Sequence, residues 1–455
     1  MFSISSRSAC MRMYLFARSK SSHTSGASLP KHKRQRTPSK KSPEPPSPDS
    51  PGNAHNAHEA SKPAKRLRNV KSDYKFGYSD RERKALFLQG INPDDEDEVD
   101  MKKIYGPCAH LSPTEATRWT PPPMAEGHRG RYLWTDAFGV LNFITLASLT
   151  TNPVYNTLAD RLIDTVHGIL GRTRDGMHRL PGATDEHPLA GGLRIGKEDE
   201  EDDPGGDGDG QYHHYLTIWM FALNRMSLAA KERRYNDLAI ELAKAIHPRF
   251  VWDRDSPRPR MYWKMSIDMS RPMVQSEGNL DPIDGYVVYS LLQRSNKDDT
   301  YILAQEVSEY KKILDTKWRH YVSDDPLDLG MTLWTAHWFD GEEEWATQLT
   351  RRALTCLHAL FDHGYFDEPV AYRLAFREFG TCMGIQCHLE RHGGNAAPRE
   401  SRYWEDCLEK VLSTWEPRVN ASPPATREKL VPITMVMYCS ALVPGAFAKG
   451  FFGEE

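Results

Sequence analysis

The sequence predicts an all-α protein, an (α/α)6 toroid of six helical hairpins preceded by a disordered N-terminal tail. From Tyr105 onward the helical signals recur in pairs, in which a helix that is apolar on almost every side precedes one with a single apolar face. Strand signals are few, and neither a βαβ alternation nor a glycine-rich phosphate loop is present. A closed double ring requires this alternation, because its inner helices are buried all round and its outer helices on one side.

Composition excludes several classes of protein. The chain has 455 residues, 59 Lys+Arg against 62 Asp+Glu, and seven scattered cysteines, which does not suit a disulfide-rich scaffold, a collagen-like fibre or a polytopic membrane protein. A net charge of -3 predicts no specific nucleic-acid partner. The cysteines lack CxxC and zinc-finger spacing, so we expect reduced thiols inside the cell, no metal and no cofactor.

Residues 1–104 are rich in Ser, Pro, Lys and Arg and poor in aliphatic side chains, which predicts disorder. The stretch 1–42 contains no acidic residue, as is typical of a mitochondrial transit peptide. The clusters KHKRQR (31–36) and KRLR (65–68) suit nuclear import equally well. We therefore predict an intracellular, cytoplasmic protein, with mitochondrial or nuclear targeting and an unspecialised flexible tail as open alternatives.

Residues 105–455 are predicted to form the toroid. Its inner helices are expected at 132–149, 210–224, 284–293, 327–339, 370–389 and 429–442. Its outer helices are expected at 156–170, 236–246, 301–318, 344–360 and 403–415. The uncharged stretch 430–448 has about the length of a membrane span. Its prolines and hydroxyl side chains resemble those of the other inner helices, so we predict a buried last inner helix and no transmembrane segment.

Polar residues gather where inner helices are predicted to begin, and such residues would line one mouth of the ring. Asp209 precedes the second inner helix as a plausible N-cap, and Asp284 begins the third. Asp268 lies in the polar block before it. We predict these three as the catalytic carboxylates, and rank Asp281 below them because Asp281-Pro282 is explained by helix capping.

Further side chains are predicted to bind substrate at the same end of the ring. Aromatic residues beside carboxylates are typical of carbohydrate sites, since aromatic faces stack on sugar rings. The polar stretch 191–208 is expected to form a rim loop that does not pack. The predicted binding residues are His178, Arg194, Gln211, His214, Trp263, Lys264, Arg271, Trp334, His337 and Glu378.

Three functions remain open from the residues. The first is a glycoside hydrolase that uses Asp268 and Asp284 as acid and base with Asp209 in reserve; its substrate is a short or acidic sugar, as the basic residues suggest. The second is a sugar epimerase or isomerase whose bases come from His178, His214 and His337. The third is an inert toroid for a ligand or protein partner, whose carboxylates all pair with arginines. The oligomeric state is not predicted.

The order of elements from 132 onward resembles the six-hairpin glycosidase-like superfamily, which includes unsaturated glucuronyl hydrolases and acylglucosamine 2-epimerase-type enzymes. The blocks GGLRIGK (191–197), DGQYHHYLTIWM (209–220) and MYWKMSIDMSRP (261–272) resemble a narrower group of microbial and fungal proteins. The wider resemblance implies the toroid and an aspartate at the start of an inner helix, for which Asp209 or Asp284 is the nearest match. The narrower one implies no particular reaction.

Overall fold

The computed structural model describes residues 101–108, 110–203, 207–391, 398–419, 421 and 428–453. The predictions of disorder and targeting for the tail lie outside these residues. Among the described residues no disulfide links the cysteines at positions 108, 356, 382, 387, 407 and 439.

The described residues are mostly helical, and the helices follow the predicted pairs closely. Two short helices come first, α1 (Met101–Tyr105) and α2 (Pro113–Arg118). The inner helices are α3 (Leu133–Thr150), α5 (His213–Ala230), α7 (Asp281–Ser295), α9 (Pro326–His337), α11 (Ala375–Arg391) and α13 (Val431–Leu442). The outer helices are α4 (Val154–Leu170), α6 (Arg234–Phe250), α8 (Ala304–Lys317), α10 (Glu344–Asp362) and α12 (Pro398–Val419).

The inner helices form a closed ring. Going round it, α3 packs against α5, α5 against α7, α7 against α9, α9 against α11 and α11 against α13, and α13 returns to α3. Each of the outer helices named above packs against the inner helix that precedes it, and α1 packs against α13. The predicted (α/α)6 toroid is therefore confirmed.

The sequence periods explain which helices lie inside. In α3 every residue from Leu133 to Ala147 is buried, whereas in α4 a stripe containing Leu158, Leu162 and Val166 is buried and Asp164 is exposed. Each fully buried aliphatic side chain contributes about 1.5–3 kcal/mol. The stretch His128–Thr150 is long and apolar enough to cross a membrane, but 83% of its most apolar 18-residue window is buried inside the protein, as expected of a core helix. The predicted last inner helix is likewise buried, as α13.

Two short antiparallel ribbons connect the loops. Strand β1 (Gln211–Tyr212) pairs with β4 (Lys264–Met265), and β2 (Val251–Trp252) pairs with β3 (Arg260–Met261). The β1–β4 pair joins the start of α5 to the loop that leads into α7.

The prediction that residues 191–208 form a rim loop that does not pack is wrong for residues 191–196. Residues 191–196 are buried, because apolar Leu193 and Ile195 enter the core. The backbone of Ile195 is paired on both sides: its N–H donates to the Gly210 carbonyl at 2.8 Å, and its carbonyl accepts from the N–H of Leu133 at 3.0 Å. The prediction of a loop rested on the polarity of the stretch, which gives no information about backbone hydrogen bonds between distant segments.

The segment 443–453 lies across the C-terminal ends of three inner helices, which we call the base of the ring. Ala446 accepts from Nε of Arg225 on α5 and donates its N–H to Thr145 on α3, both at 2.9 Å. The Phe447 carbonyl accepts from the indole of Trp334 on α9 at 3.3 Å. The ring of Phe447 also contacts Phe138 of α3, with centroids 4.8 Å apart. Phe447 therefore fills the ring axis one helical turn below the first residues of α3.

Helices α9 and α11 approach each other through glycines. A Cβ atom at Gly384 would lie 2.1 Å from the carbonyl oxygen of Gly330, and one at Gly330 would lie 2.2 Å from that of Gly380. Since non-bonded carbon and oxygen atoms cannot approach so closely, any side chain here forces the two helices apart.

We expect Gly384→Ala to lower the free energy of unfolding by about 1–3 kcal/mol, as overpacking of a close contact does. Gly168→Ala is the matched control, because Gly168 is exposed in α4 with nothing within 4 Å of the added Cβ. It should raise the free energy of unfolding by about 0.5–1 kcal/mol through helix propensity. Urea unfolding measures both, and equal effects would contradict the close contact.

Candidate functional site at the mouth of the ring

The N-terminal ends of the inner helices meet opposite the base, at the mouth of the ring. Helix α5 begins with His213 and His214, and α7 begins with Asp281. Nδ1 of His214 lies 3.3 Å from Oδ1 of Asp281. The His214 side chain is 34% exposed whereas that of Asp281 is 8% exposed. The mouth thus holds an accessible imidazole that is oriented by a buried carboxylate, an arrangement suited to a general base.

Aromatic rings surround His214. Its ring centroid lies 4.9 Å from that of Tyr215, 6.1 Å from Tyr212, and 6.2 Å from both Trp134 and Trp263. Trp263 is half-buried, and its indole N–H donates to Ser276 at 3.1 Å. We call the four surrounding rings, of Trp134, Tyr212, Tyr215 and Trp263, the aromatic cage.

Asp281 has a second imidazole partner, since Nδ1 of His213 lies 3.5 Å from the same Oδ1. Burial favours the neutral carboxyl, but the two imidazoles outweigh it and hold the pKa of Asp281 well below its usual range. The capping prediction is wrong, because Leu280 occupies the N-cap position and Asp281 is the first residue of the helix.

Asp284 lies one turn further along α7 in a different environment. Its Oδ1 accepts from the Thr335 hydroxyl of α9 at 2.7 Å, and within the described residues no basic side chain forms an ion pair with it. Burial raises the pKa of Asp284 well above its usual range, and the nearby carboxyls of Asp281 and Asp328 raise it further. Burial thus favours the neutral form of the Asp284 carboxyl.

Asp209, the second predicted catalytic carboxylate at a helix start, is fully buried in an ion-pair network. Its Oδ2 lies 2.7 Å from Arg174 and 3.1 Å from Arg194, and its Oδ1 accepts from the Gly196 N–H at 2.9 Å. It does not cap α5, because Tyr212 holds that position. The two arginines therefore give Asp209 and the predicted binding residue Arg194 a structural role.

Asp268 and Arg271 lie on an exposed turn. Asp268 accepts from the Ser266 hydroxyl at 2.6 Å and from the Ser270 N–H and hydroxyl at 3.0 and 2.8 Å. These hydrogen bonds lower its pKa, which keeps it ionised and unsuited to donate a proton. Arg271 pairs with Asp202 at 2.5 Å. The geometry gives Asp268 the role of a turn-forming residue.

Gln211 and Lys264 support the wall of the mouth from within. The Gln211 amide donates to the carbonyls of Gly191 and Ile267 at 2.9 and 2.7 Å and accepts from the Leu193 N–H at 3.0 Å. Lys264 is buried over the Tyr212 ring, with Nζ 4.9 Å from its centroid. Because these contacts link the blocks 191–197, 209–220 and 261–272, the three blocks form one unit that carries His214 and Trp263.

Trp334 and His337 do not lie at the mouth, contrary to the prediction. Both belong to the last turn of α9 at the base of the ring, where His337 Nε2 accepts from the Lys449 N–H at 3.0 Å. Burial lowers the pKa of His337 to about 3, so it stays neutral. His178 lies on an exposed turn, where its N–H donates to Thr173. Among the three histidines predicted as bases, only His214 is next to the mouth carboxylates.

Both side-chain oxygens of Glu378 accept hydrogen bonds from neighbouring side chains. Arg373 donates two hydrogen bonds to it, at 2.7 and 2.5 Å, and the Trp415 indole donates a third at 2.8 Å. The neighbouring Arg377 pairs with Asp325. These are the internal salt bridges that the alternative reading of the sequence expected, so Glu378 has no side-chain oxygen left for substrate.

Two residues at the mouth were not among the predicted site residues. The indole nitrogen of Trp134 is buried and has no partner in the described part of the chain. Glu126 accepts from the Thr135 hydroxyl at the start of α3, and burial raises its pKa to about 8. From the sequence, Trp134 was expected only as one of several tryptophans close to the predicted carboxylates, whereas Glu126 lies in a segment without periodicity and no local signal marked it.

No protein-family model and no curated protein matches this chain. Among solved structures, a sugar epimerase from a ruminal bacterium is similar with a TM-score of 0.43 and 9% identity, over 68% of this chain and 85% of that one. Cellobiose 2-epimerase from Spirochaeta thermophila has a TM-score of 0.43 and 15% identity, over 66% and 76%. The resemblance of the three sequence blocks to a narrower group stays a prediction.

We expect Asp209→Asn to lower the free energy of unfolding by about 3–5 kcal/mol, because it leaves the buried Arg194 without a charged partner. The control is Asp268→Asn on the exposed turn, which should cost about 1 kcal/mol or less. Chemical denaturation of both variants tests this. A small effect at Asp209 would mean that the buried network does not stabilise the fold.

The pKa of Asp284 predicts a pH effect on stability. Because the folded-state pKa is raised, the folded protein binds more protons than the unfolded one above pH ~4, so this group makes stability fall as pH rises. Asp284→Asn removes the term, and its unfolding midpoint should exceed that of the native chain by more at pH 8 than at pH 4. An equal difference at both pH values would contradict the assignment of a neutral carboxyl.

Proposed function

We propose that this chain is a sugar epimerase or isomerase that uses His214 as its base. The observation that carries the proposal is the contact of 3.3 Å between Nδ1 of the half-exposed His214 and the buried carboxylate of Asp281. The carboxylate holds the Nδ1–H and stabilises the imidazolium that forms when Nε2 accepts a proton. No step requires a metal or an organic cofactor.

The chemistry is proton transfer at the carbon next to an open-chain sugar carbonyl. Nε2 of His214 takes the proton from this carbon, and the electrons of the C–H bond form an enediolate with the carbonyl. The neutral carboxyl of Asp284 donates a proton to the developing oxyanion. The imidazolium of His214 then returns its proton. Delivery to the opposite face of the same carbon, after the enediol has turned over in the site, gives the epimer, and delivery to the former carbonyl carbon gives the isomer. In both cases the Asp284 carboxylate takes back a proton from the enediol oxygen that becomes the new carbonyl.

The aromatic cage supports a sugar as the substrate. The half-buried ring of Trp263 offers an apolar face for the C–H face of a pyranose, while the buried rings of Trp134, Tyr212 and Tyr215 pack behind His214. The cations that suggested an acidic sugar are already engaged: Arg194 pairs with Asp209, Arg271 with Asp202, and Arg179 with Asp185 at 2.5 Å. We therefore propose an uncharged sugar rather than a uronic acid.

Glycoside hydrolysis is the second candidate, and Asp284 is the observation that favours it. A buried carboxyl of raised pKa one turn from an ionised carboxylate is the pair that acid/base cleavage of a glycosidic bond needs. In this chain, however, the ionised partner Asp281 is occupied by two histidines. This favours a role in orienting His214 over the activation of water.

The proposal predicts that deuterium from the solvent exchanges into the sugar while the glycosidic bond stays intact. The chain is incubated in D2O with aldoses and β-1,4-linked disaccharides, and proton NMR follows deuterium at C1 and C2 together with release of monosaccharide. We expect deuterium incorporation with the glycosidic bond intact. His214→Gln should slow exchange about 10²–10⁴-fold, the usual contribution of a general base.

His178→Gln is the matched control, because this histidine lies on an exposed turn away from the mouth; its exchange rate should equal that of the native chain. Release of monosaccharide without deuterium uptake would favour hydrolysis and remove the epimerase assignment. Exchange that persists in His214→Gln would remove His214 as the base.

A further inference from the structure

A line of polar groups runs from His214 into the protein, away from the mouth. Oδ1 of Asp281 lies 3.3 Å from Nδ1 of His214, a hydrogen bond, and 3.5 Å from Nδ1 of His213, an electrostatic contact without hydrogen-bond geometry. On the far side of its ring, Nε2 of His213 lies 2.6 Å from the hydroxyl oxygen of Tyr310. The line therefore connects inner helices α5 and α7 with outer helix α8.

The two neighbours of His213 determine its tautomer. His213 is fully buried, and its Nδ1 faces an ionised carboxylate. A lone pair on Nδ1 would be repelled by that charge, so Nδ1 carries the proton and Nε2 is the acceptor. The Tyr310 hydroxyl must then be the donor to Nε2. Burial raises the pKa of Tyr310 well above its usual range, so this hydroxyl keeps its proton.

We propose that Tyr310 is a positioning residue that acts on His214 through His213 and Asp281, an inference that rests on the proposed role of His214 as base. By donating to Nε2, Tyr310 makes His213 present an N–H to Asp281. Asp281 then remains ionised and holds the Nδ1–H tautomer of His214. That tautomer leaves Nε2 of His214 with its lone pair free to take the substrate proton.

Tyr310 is fixed by packing. Its buried ring lies directly on α7, because a Cβ atom at Gly285 would be 2.6 Å from its Cζ. On its other sides the ring meets His247 and Tyr289 edge-on, with centroids 4.8 and 5.1 Å apart. Only the absence of a side chain at Gly285 lets the tyrosine approach closely enough to reach His213.

Other ionisable groups near this line are accounted for by their own contacts. Around Asp281 these are His213 and His214 from α5, Asp284 from α7 and Tyr310 from α8, while Asp328 from α9 acts on Asp284. Glu309 of α8 is the nearest further charge to Tyr310. It is bound by His247 at 2.8 Å and Arg254 at 2.7 Å, so its charge is compensated and does not compete for the tyrosine proton.

The experiment is nitrogen-15 NMR of the histidine side chains in the full chain with Tyr310→Phe, together with steady-state rates. In the native chain His213 should be protonated at Nδ1 with Nε2 hydrogen-bonded. Without the hydroxyl, His213 can place its proton on Nε2, and the Nδ1–H population of His214 should fall with it. We expect kcat to drop about tenfold, equivalent to one lost hydrogen bond, with KM unchanged.

Tyr286→Phe is the control, because this tyrosine of α7 also loses one hydrogen bond, the one that it donates to Glu343 at 2.7 Å, away from Tyr310 and His213; both tautomers should stay native. His213→Gln is a second test should Tyr310→Phe not fold, and it too should redistribute the His214 proton. Unchanged tautomers of both histidines in Tyr310→Phe overturn this inference. The NMR measurement needs no substrate, so it tests this inference independently of the proposed function. If the exchange rate is unchanged in His214→Gln, the proposed function fails, and the tautomers still report separately on the role of Tyr310.

Discussion

The geometry of the mouth depends on one buried charge, the carboxylate of Asp281. Removing a carboxylate from water costs several kcal/mol unless partners compensate it, and here the partners are two imidazoles from the neighbouring inner helix. The need to satisfy this charge fixes the register of α5 against α7 and the direction of both imidazole rings. The partly exposed imidazole of His214 and the buried His213 and Tyr310 behind it meet this requirement together.

Four aspartates near the ring show that environment, not residue type, decides the chemistry of a carboxyl group. Asp209 is held by two arginines, Asp268 by the serines of its own turn, Asp281 by two histidines and Asp284 by a threonine alone. Only Asp281 and Asp284 lie near the mouth, and their surroundings shift the two pKa values in opposite directions, down for Asp281 and up for Asp284. Acid/base catalysis needs such a pair, one group ionised and one neutral.

The sequence was sufficient for the helices and only partly sufficient for the site. Helical periods are local, so the inner and outer helices were predicted to within a few residues, and His214, Trp263 and Asp284 were correctly expected near helix starts. Pairing between distant segments carries no local signal. The partners of Asp209 are 15 and 35 residues away, and His214 lies 67 residues from Asp281. A local explanation by capping therefore took the place of the correct one for Asp281.

Position along a helix caused the second kind of error. Trp334 and His337 belong to an inner helix, but they occupy its last turn and hydrogen-bond to the segment 443–453 rather than lie beside His214. Sequence reasoning assigned the whole element to the site, whereas in a ring only the first turns of each inner helix can reach a ligand. The same geometry explains why Trp134, in the first turn of α3, contacts His214.

The segment 443–453, which contacts three inner helices at the base of the ring, also has a consequence for how a ligand would be bound. The ring of Phe447 contacts Phe138, which in turn stacks on Trp134, so these rings form an aromatic floor beneath the mouth. For the sugar substrate proposed above, such a floor would admit the end of a saccharide chain rather than its middle, and the product would leave on the side where the substrate entered.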